Sequence, residues 1–206
     1  MFQIRVHGRG GQGVVTAAEL LSMAAFAEGA WAQAFPSFGS ERTGAPVAAF
    51  CRISDRPIRT REPIATPDCV IVQDPTLTGH VDLLAGLRPG GWVLVNSTDP
   101  VALRADDATV LTVPATQLAL RYIGKPVPNA ALLGGFAALT GRLRLESVRS
   151  AIRDRFPARL ADGNIAAAEE AYRTVRIQRP PAGAAQRSPR SSGRRQEAER
   201  EEFVDA

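Results

Sequence analysis

Lysine is almost absent from this chain. Lys125 is the only one in 206 residues, yet the net charge is +4 and the pI is about 9.8. Arginine therefore carries the positive charge, which we read as the codon bias of a GC-rich genome. Aromatic residues make up 6% of the chain, and no basic stripe has aromatics interleaved in it, so nucleic acid is not an expected partner. Cysteine is equally scarce. Cys51 and Cys69 form no C-x-x-C, and no iron–sulfur or zinc spacing exists. They read as buried thiols in a reducing compartment, so a cytoplasmic location is expected. With only His7 and His80, a histidine metal site is not expected. No apolar run approaches the roughly 18–20 residues that span a bilayer. Met1 to Arg5 leads straight into a strand pattern, so no signal peptide is expected.

The composition that is present suits one soluble domain with a real core: 45% of residues are hydrophobic and 22% charged. Phe2 to Val6 alternates as a strand and ends at His7-Gly8. Val14 to Glu28 has helical spacing and stops at Gly29. Trp31 to Phe35 and Val47 to Ile53 read as strands around a polar loop from Pro36 to Pro46. Ile58 to Arg61 reads as a short edge strand. Cys69 to Gln73 is a continuous apolar run, as in a central parallel strand, broken by Asp74-Pro75. Val81 to Leu87 reads as a short helix, Trp92 to Asn96 as a buried strand, Pro100 to Arg104 as a helical turn and Thr109 to Val113 as a strand. Helices are expected from Pro114 to Ile123, Asn129 to Thr140, Leu145 to Arg155 and Gly163 to Val175. The Asn129 helix is apolar on nearly every side, so it is buried in the domain or against a partner. Exposure of such apolar surface would make the isolated chain behave poorly.

The order implies an α/β class: a three-layer Rossmann-like domain over residues 1–175 with a mostly parallel, mixed sheet. The mixture follows from consecutive strands between Phe35 and Ile58. Residues 176–206 are rich in Arg, Pro, Ser and Glu and poor in large apolar side chains. They are expected to form a disordered tail.

"HGRGGQG", from His7 to Gly13, places Gly8, Gly10 and Gly13 in a G-x-G-x-x-G between the first strand and helix. Such a loop lets backbone N–H groups approach a phosphate at a helix N-terminus. A nicotinamide site also needs an acid at the end of the second strand. That region reads Trp31 to Phe35, and the nearest acid, Glu28, precedes it. The glycines would alternatively serve only close packing of helix on strand. The second candidate segment is the loop holding Ser40, Glu41 and Arg42, where Arg42 can fork a phosphate or carboxylate. The third is Asn129, which reads as a helix cap or an added amide. No catalytic or metal-ligating constellation assembles. His7 and His80 lack partners in the sequence, and Asp74 has no second carboxylate.

"HGRGGQGVVTAAELLSMAAFAEG", "AQAFPSFGSERTGAPVAAFCRISDRPI", "DCVIVQDPTL" and "PNAALLGGFAALTG" together resemble the gamma subunit of pyruvate:ferredoxin oxidoreductase. More broadly, they resemble the gamma chains and domains of 2-oxoacid:acceptor oxidoreductases. The resemblance covers about Met1 to Val175. It implies a subunit of a complex that oxidatively decarboxylates a 2-oxoacid to an acyl-CoA and passes electrons to ferredoxin. It implies thiamine diphosphate and iron–sulfur clusters in partner alpha, beta and delta (ferredoxin-like) subunits. It also implies coenzyme A near this chain, with Gly8, Gly10, Gly11, Gln12 and Gly13 as a backbone cradle and Ser40, Arg42 and Asn129 as side-chain contacts. The family pattern often carries a second Arg after its Glu-Arg pair, where this chain has Thr43. Two other readings stay open: a stand-alone nucleotide-binding oxidoreductase, and a ligand-free scaffold subunit of the same complex.

Overall fold

The computed structural model describes residues 1–37, 43–101, 103, 105 and 107–179. The chain runs β1 (Phe2–Arg9), α1 (Val14–Ala27), β2 (Trp31–Pro36), β3 (Pro46–Ser54), β4 (Cys69–Val72), a 3-10 turn (Pro75–Gly79), β5 (Trp92–Asn96) and β6 (Thr109–Val113). It ends with α2 (Ala115–Ile123), α3 (Asn129–Thr140), α4 (Leu145–Arg155) and α5 (Ala158–Gln178). The six strands form one sheet in the order β2-β3-β1-β4-β5-β6. β1, β4, β5 and β6 pair in parallel, and β3 runs antiparallel to both β1 and β2. This is the mixed, mostly parallel α/β sheet that the consecutive strands imply.

Alternation along the strands divides the core in two. Ile4, Val6, Cys51, Cys69, Ile71, Leu94 and Val113 face the five helices. Val70, Val72, Val93 and Val95 face the opposite way, against Leu77, Leu83 and the segments around them. On that second face the expected helix Val81 to Leu87 does not form. The buried Arg5 guanidinium takes the carbonyls of Leu83 and Ala85 at 3.2 and 2.6 Å, and that of Ile64 at 3.4 Å. These bonds turn the Leu83 and Ala85 carbonyls towards Arg5, and this covering layer is a 3-10 turn and loops. The expected strand Ile58 to Arg61 is likewise unpaired. Just after it the chain gives the Glu62 carbonyl to buried Arg52. Of the turn expected at Pro100 to Arg104, the described residues are not helical; Ala102 and Arg104 lie outside them.

Every residue of α3 is buried. It lies within its own domain, between the sheet and α1, α4 and α5, so it exposes no apolar face when the chain is alone. Glycine permits this. A Cβ on Gly134 would lie 2.0 Å from the Ala168 carbonyl oxygen of α5. α5 also starts earlier than expected, at Ala158 after Pro157, because Gly163 is a contact and not a helix start. A Cβ there would meet the Tyr122 carbonyl oxygen at 2.5 Å. α5 continues to Gln178, so Arg176 to Gln178 belong to the folded domain. The remainder of the expected tail, residues 180–206, lies outside the described residues.

Cys51 and Cys69 are fully buried free thiols. Burial pushes Cys51 up to about 12, and burial together with the Asp68 carboxylate pushes Cys69 higher still.

Gly134 and its neighbour provide a matched test. Gly135→Ala meets side-chain methyls only, the nearest being Leu94 Cδ2 at 3.1 Å, and gains up to about 1 kcal/mol in helix propensity. Gly134→Ala meets backbone and costs roughly 1–3 kcal/mol through overpacking. Urea unfolding of the two variants checks the order; equal stabilities would contradict this packing.

Candidate functional site

The C-terminal ends of β1, β4 and β5 carry polar residues directly after apolar runs, at the sheet end where ligands bind in open α/β folds. β1 ends in Arg9 and the glycine loop. Gly11 and Gly13 take φ of +89° and +76°, which glycine alone adopts without strain. Gly13 hands the chain to α1, which has no side-chain cap and no acidic residue in its first turn.

Within this loop the hydrogen-bonding groups divide in two. Gly10 N–H donates to the Ala45 carbonyl at 2.9 Å and Gln12 N–H to the Arg9 carbonyl at 3.1 Å. The N–H groups of Gly11, Gly13, Val14, Val15 and Thr16 find no acceptor among the described residues. These are the orphan donors of an uncapped helix start, with the positive end of the helix dipole behind them.

Side chains hold the loop in place from below. Gln12 Oε1 accepts Arg9 N–H at 2.8 Å, and its Nε2 donates to Asp74 Oδ2 at 2.8 Å. Asp74 also accepts from Thr76 N–H and Oγ1, at 3.0 and 2.6 Å, and lies 3.2 Å from Arg9 Nε. Burial alone would raise this carboxyl. The donors of Thr76 and Gln12, with the charge of Arg9, outweigh that and hold it below the usual carboxylate range. Gln73, 2% exposed, donates to the Gln12 carbonyl and to Asn129 Oδ1. Asn96 donates to the Gln73 carbonyl at 2.9 Å and accepts Thr116 N–H at 3.0 Å. It thereby caps the start of α2 from a neighbouring strand.

The sequence-predicted residues fall into three groups. Gly10, Gly11, Gln12 and Gly13 form the loop itself. Gly8 lies beneath it as a packing glycine, since a Cβ there would meet Val14 Cγ2 at 2.6 Å. Asn129 is no helix cap: Pro128 holds that position, and no side-chain cap bond forms. Its buried amide presses against Gly13 instead, with Nδ2 2.6 Å from where a Cβ would stand. Ser40 and Arg42 lie outside the described residues. The loop that carries them is nevertheless joined to the glycine loop. Gly44 N–H donates to the Gly10 carbonyl at 3.0 Å, Arg9 Nη1 donates to the Gly44 carbonyl, and Thr43 bridges Gly10. Thr43 is thus a backbone partner of the loop.

Sequence reasoning missed Gln73, Asn96 and Thr116. Their signal was positional, a polar residue closing each apolar strand run. Among the described residues, no three His, Cys, Asp or Glu cluster as metal ligands. None of the described helices is long and apolar enough to cross a membrane.

Residues 3–174 match the family described as pyruvate ferredoxin/flavodoxin oxidoreductase. The chain is 50% identical over 177 residues to the pyruvate/ketoisovalerate oxidoreductases common subunit gamma of Thermococcus kodakarensis, covering 84% of this chain and 96% of that one. It is 54% identical over 155 residues to the pyruvate synthase subunit PorC of Methanosarcina barkeri, covering 74% and 85%. The crystal structure of the pyruvate oxidoreductase subunit PORC of Thermotoga maritima superposes with a TM-score of 0.74 at 36% identity, covering 84% of this chain and 95% of that one. A 2-oxoglutarate:ferredoxin oxidoreductase from Magnetococcus marinus, solved with coenzyme A bound, shares the fold. Its TM-score is 0.69 at 17% identity, over 88% of this chain and 32% of that one.

His7, beside the loop on the sheet face away from the helices, generates a pH prediction. Its Nε2 is buried with no partner among the described residues. Burial, joined by the positive charge of Arg5 and against the opposite pull of Asp82, pushes the imidazole down to about 4. The unfolded chain therefore takes up a proton near pH 6.5 that the folded chain refuses. Stability is full above that pH, falls as pH drops towards 4, and levels off below. Urea midpoints between those pH values will show a loss on the order of 3 kcal/mol. His7→Gln will flatten that part of the curve; an unchanged slope would refute the assignment.

Proposed function

The chain belongs to the pyruvate ferredoxin/flavodoxin oxidoreductase family, and we propose that it acts as the gamma subunit of a 2-oxoacid:ferredoxin oxidoreductase whose glycine loop holds a phosphate-bearing part of coenzyme A. Pyruvate is the proposed 2-oxoacid, supported by the names of the archaeal relatives and the Thermotoga subunit. In this reading thiamine diphosphate and the iron–sulfur clusters reside in alpha, beta and delta partners, ferredoxin accepts the electrons, and the complex works in the cytoplasm.

One observation carries the coenzyme assignment. The N-terminus of α1 is uncapped and opens at a glycine loop whose outer N–H groups find no acceptor among the described residues. A phosphate supplies what this geometry lacks, several acceptor oxygens and a negative charge at the positive end of a helix. Bound there, the coenzyme would bring the thiol that takes the acyl group.

The chain's own part is binding and orientation. The outer N–H groups of Gly11, Gly13 and the first turn of α1 donate to phosphate oxygens. Gln12, whose own N–H and amide are already engaged, keeps the loop rigid, as do Gln73 and Asn129 from beneath. Ser40 and Arg42 add side-chain contacts from the loop that Thr43 and Gly44 tie to Gly10. A rigid cradle lowers the ordering cost of binding.

Gly11 is the position to test, because a Cβ there meets nothing closer than the Thr43 methyl at 3.8 Å. In the assembled enzyme, Gly11→Asp sets a carboxylate against the phosphate and raises the KM for coenzyme A about tenfold or more. Gly11→Asn, which carries the same backbone strain without the charge, raises it far less. The KM for the 2-oxoacid stays unchanged in both. Equal coenzyme kinetics in all three enzymes would leave the chain a ligand-free scaffold.

A further inference from the structure

Away from the glycine loop, a cleft of about 500 Å³ opens between the end of α3, the start of α4 and the last turns of α5. Its floor is apolar and includes Ala138, Leu143 and Tyr172. Its rim carries Arg144, Arg176 and Arg179 against one carboxylate, Glu146. Among the described residues, neither Arg176 nor Arg179 has a carboxylate within 4 Å, and Arg144 has only Glu28, at 3.7 Å. A cationic rim around an apolar floor selects a segment that pairs several acids with a large apolar residue.

The chain itself carries such a segment. "EAEREEFVDA", residues 197–206, holds five acids and one arginine around Phe203-Val204. It follows Arg179, itself a rim residue, after 17 residues, 180–196. A stretch of that length spans up to about 55–60 Å, ample to return to its own root.

We propose that residues 197–206 dock back into this cleft, with Phe203 on the apolar floor and the acids against the arginine rim. The tether holds the segment at millimolar effective concentration, so contacts too weak to hold a free peptide suffice. The rim pairs are exposed and salt-screened, and specificity comes from the charge match joined to the aromatic anchor.

The test uses the full chain with an acceptor dye on the Ala206→Cys thiol. Cys51 and Cys69 are buried and leave that thiol as the one to label. Trp92 is the energy-transfer donor, since its ring lies 5.8 Å from the Arg179 guanidinium; Trp31→Phe removes the other tryptophan. Docking predicts transfer that drops at least about twofold with Phe203→Ser, with Arg176→Glu, and in about 0.5 M salt. It also predicts no change on roughly hundredfold dilution. Phe203 lies beyond the described residues, so its substitution leaves the packing described above intact. Transfer indifferent to both substitutions overturns the proposal. So does transfer that vanishes on dilution, which would assign the cleft to the tail of a second copy.

Discussion

The glycine loop stays in place through two residues some sixty positions further along the chain. Gln73 and Asp74 close β4, and their side chains reach the carbonyl and amide of Gln12 across separations of 61 and 62 residues. A loop rich in glycine has little rigidity of its own, because each glycine keeps more conformational freedom in the unfolded chain than any other residue. These hydrogen bonds supply that rigidity from outside the loop. The β4 end and Asn129 thus hold the loop from its inner side and leave the outer N–H groups without an acceptor among the described residues.

The glycines of the motif therefore serve different ends. Gly8 admits Val14, so the close-packing explanation holds there. Gly11 and Gly13 take left-handed backbone, and Gly13 also admits Asn129. A motif pattern cannot separate these roles, because the distinguishing contacts come from α1, β4 and α3. Glycine plays the same part again in the helices, where Gly134 and Gly163 bring α3 and α2 against α5.

Long periodic elements were legible in the sequence. Asn129–Thr140 and Leu145–Arg155 have the bounds their spacing implies, and the mixed sheet follows from two strand runs without a helix between them. What was not legible depended on distant charged groups. Val81 to Leu87 carries a short helical pattern, but Arg5, about eighty residues earlier, takes its carbonyls. Ile58 to Arg61 has strand composition but no neighbour, since the chain beyond it is held by Arg52. At the candidate site, the glycines were visible and their supports were not. Gln73 and Asn96 look like ordinary strand ends until the sheet places them side by side. Asn129 resembled a cap because it opens a helix, and it is a wedge because Gly13 leaves room for it.

The two cysteines bear on this in another way. On the proposed function an acyl thioester forms in the same complex, and any accessible thiolate there would take its acyl group by transthioesterification. Cys51 and Cys69 sit on adjacent-but-one strands deep in the helix-facing core, and burial raises both thiols well above the usual range, so neither is a ready thiolate at neutral pH. Neither sulfur is accessible or nucleophilic enough to intercept the product. The helix-facing core thus keeps its own sulfur chemistry silent.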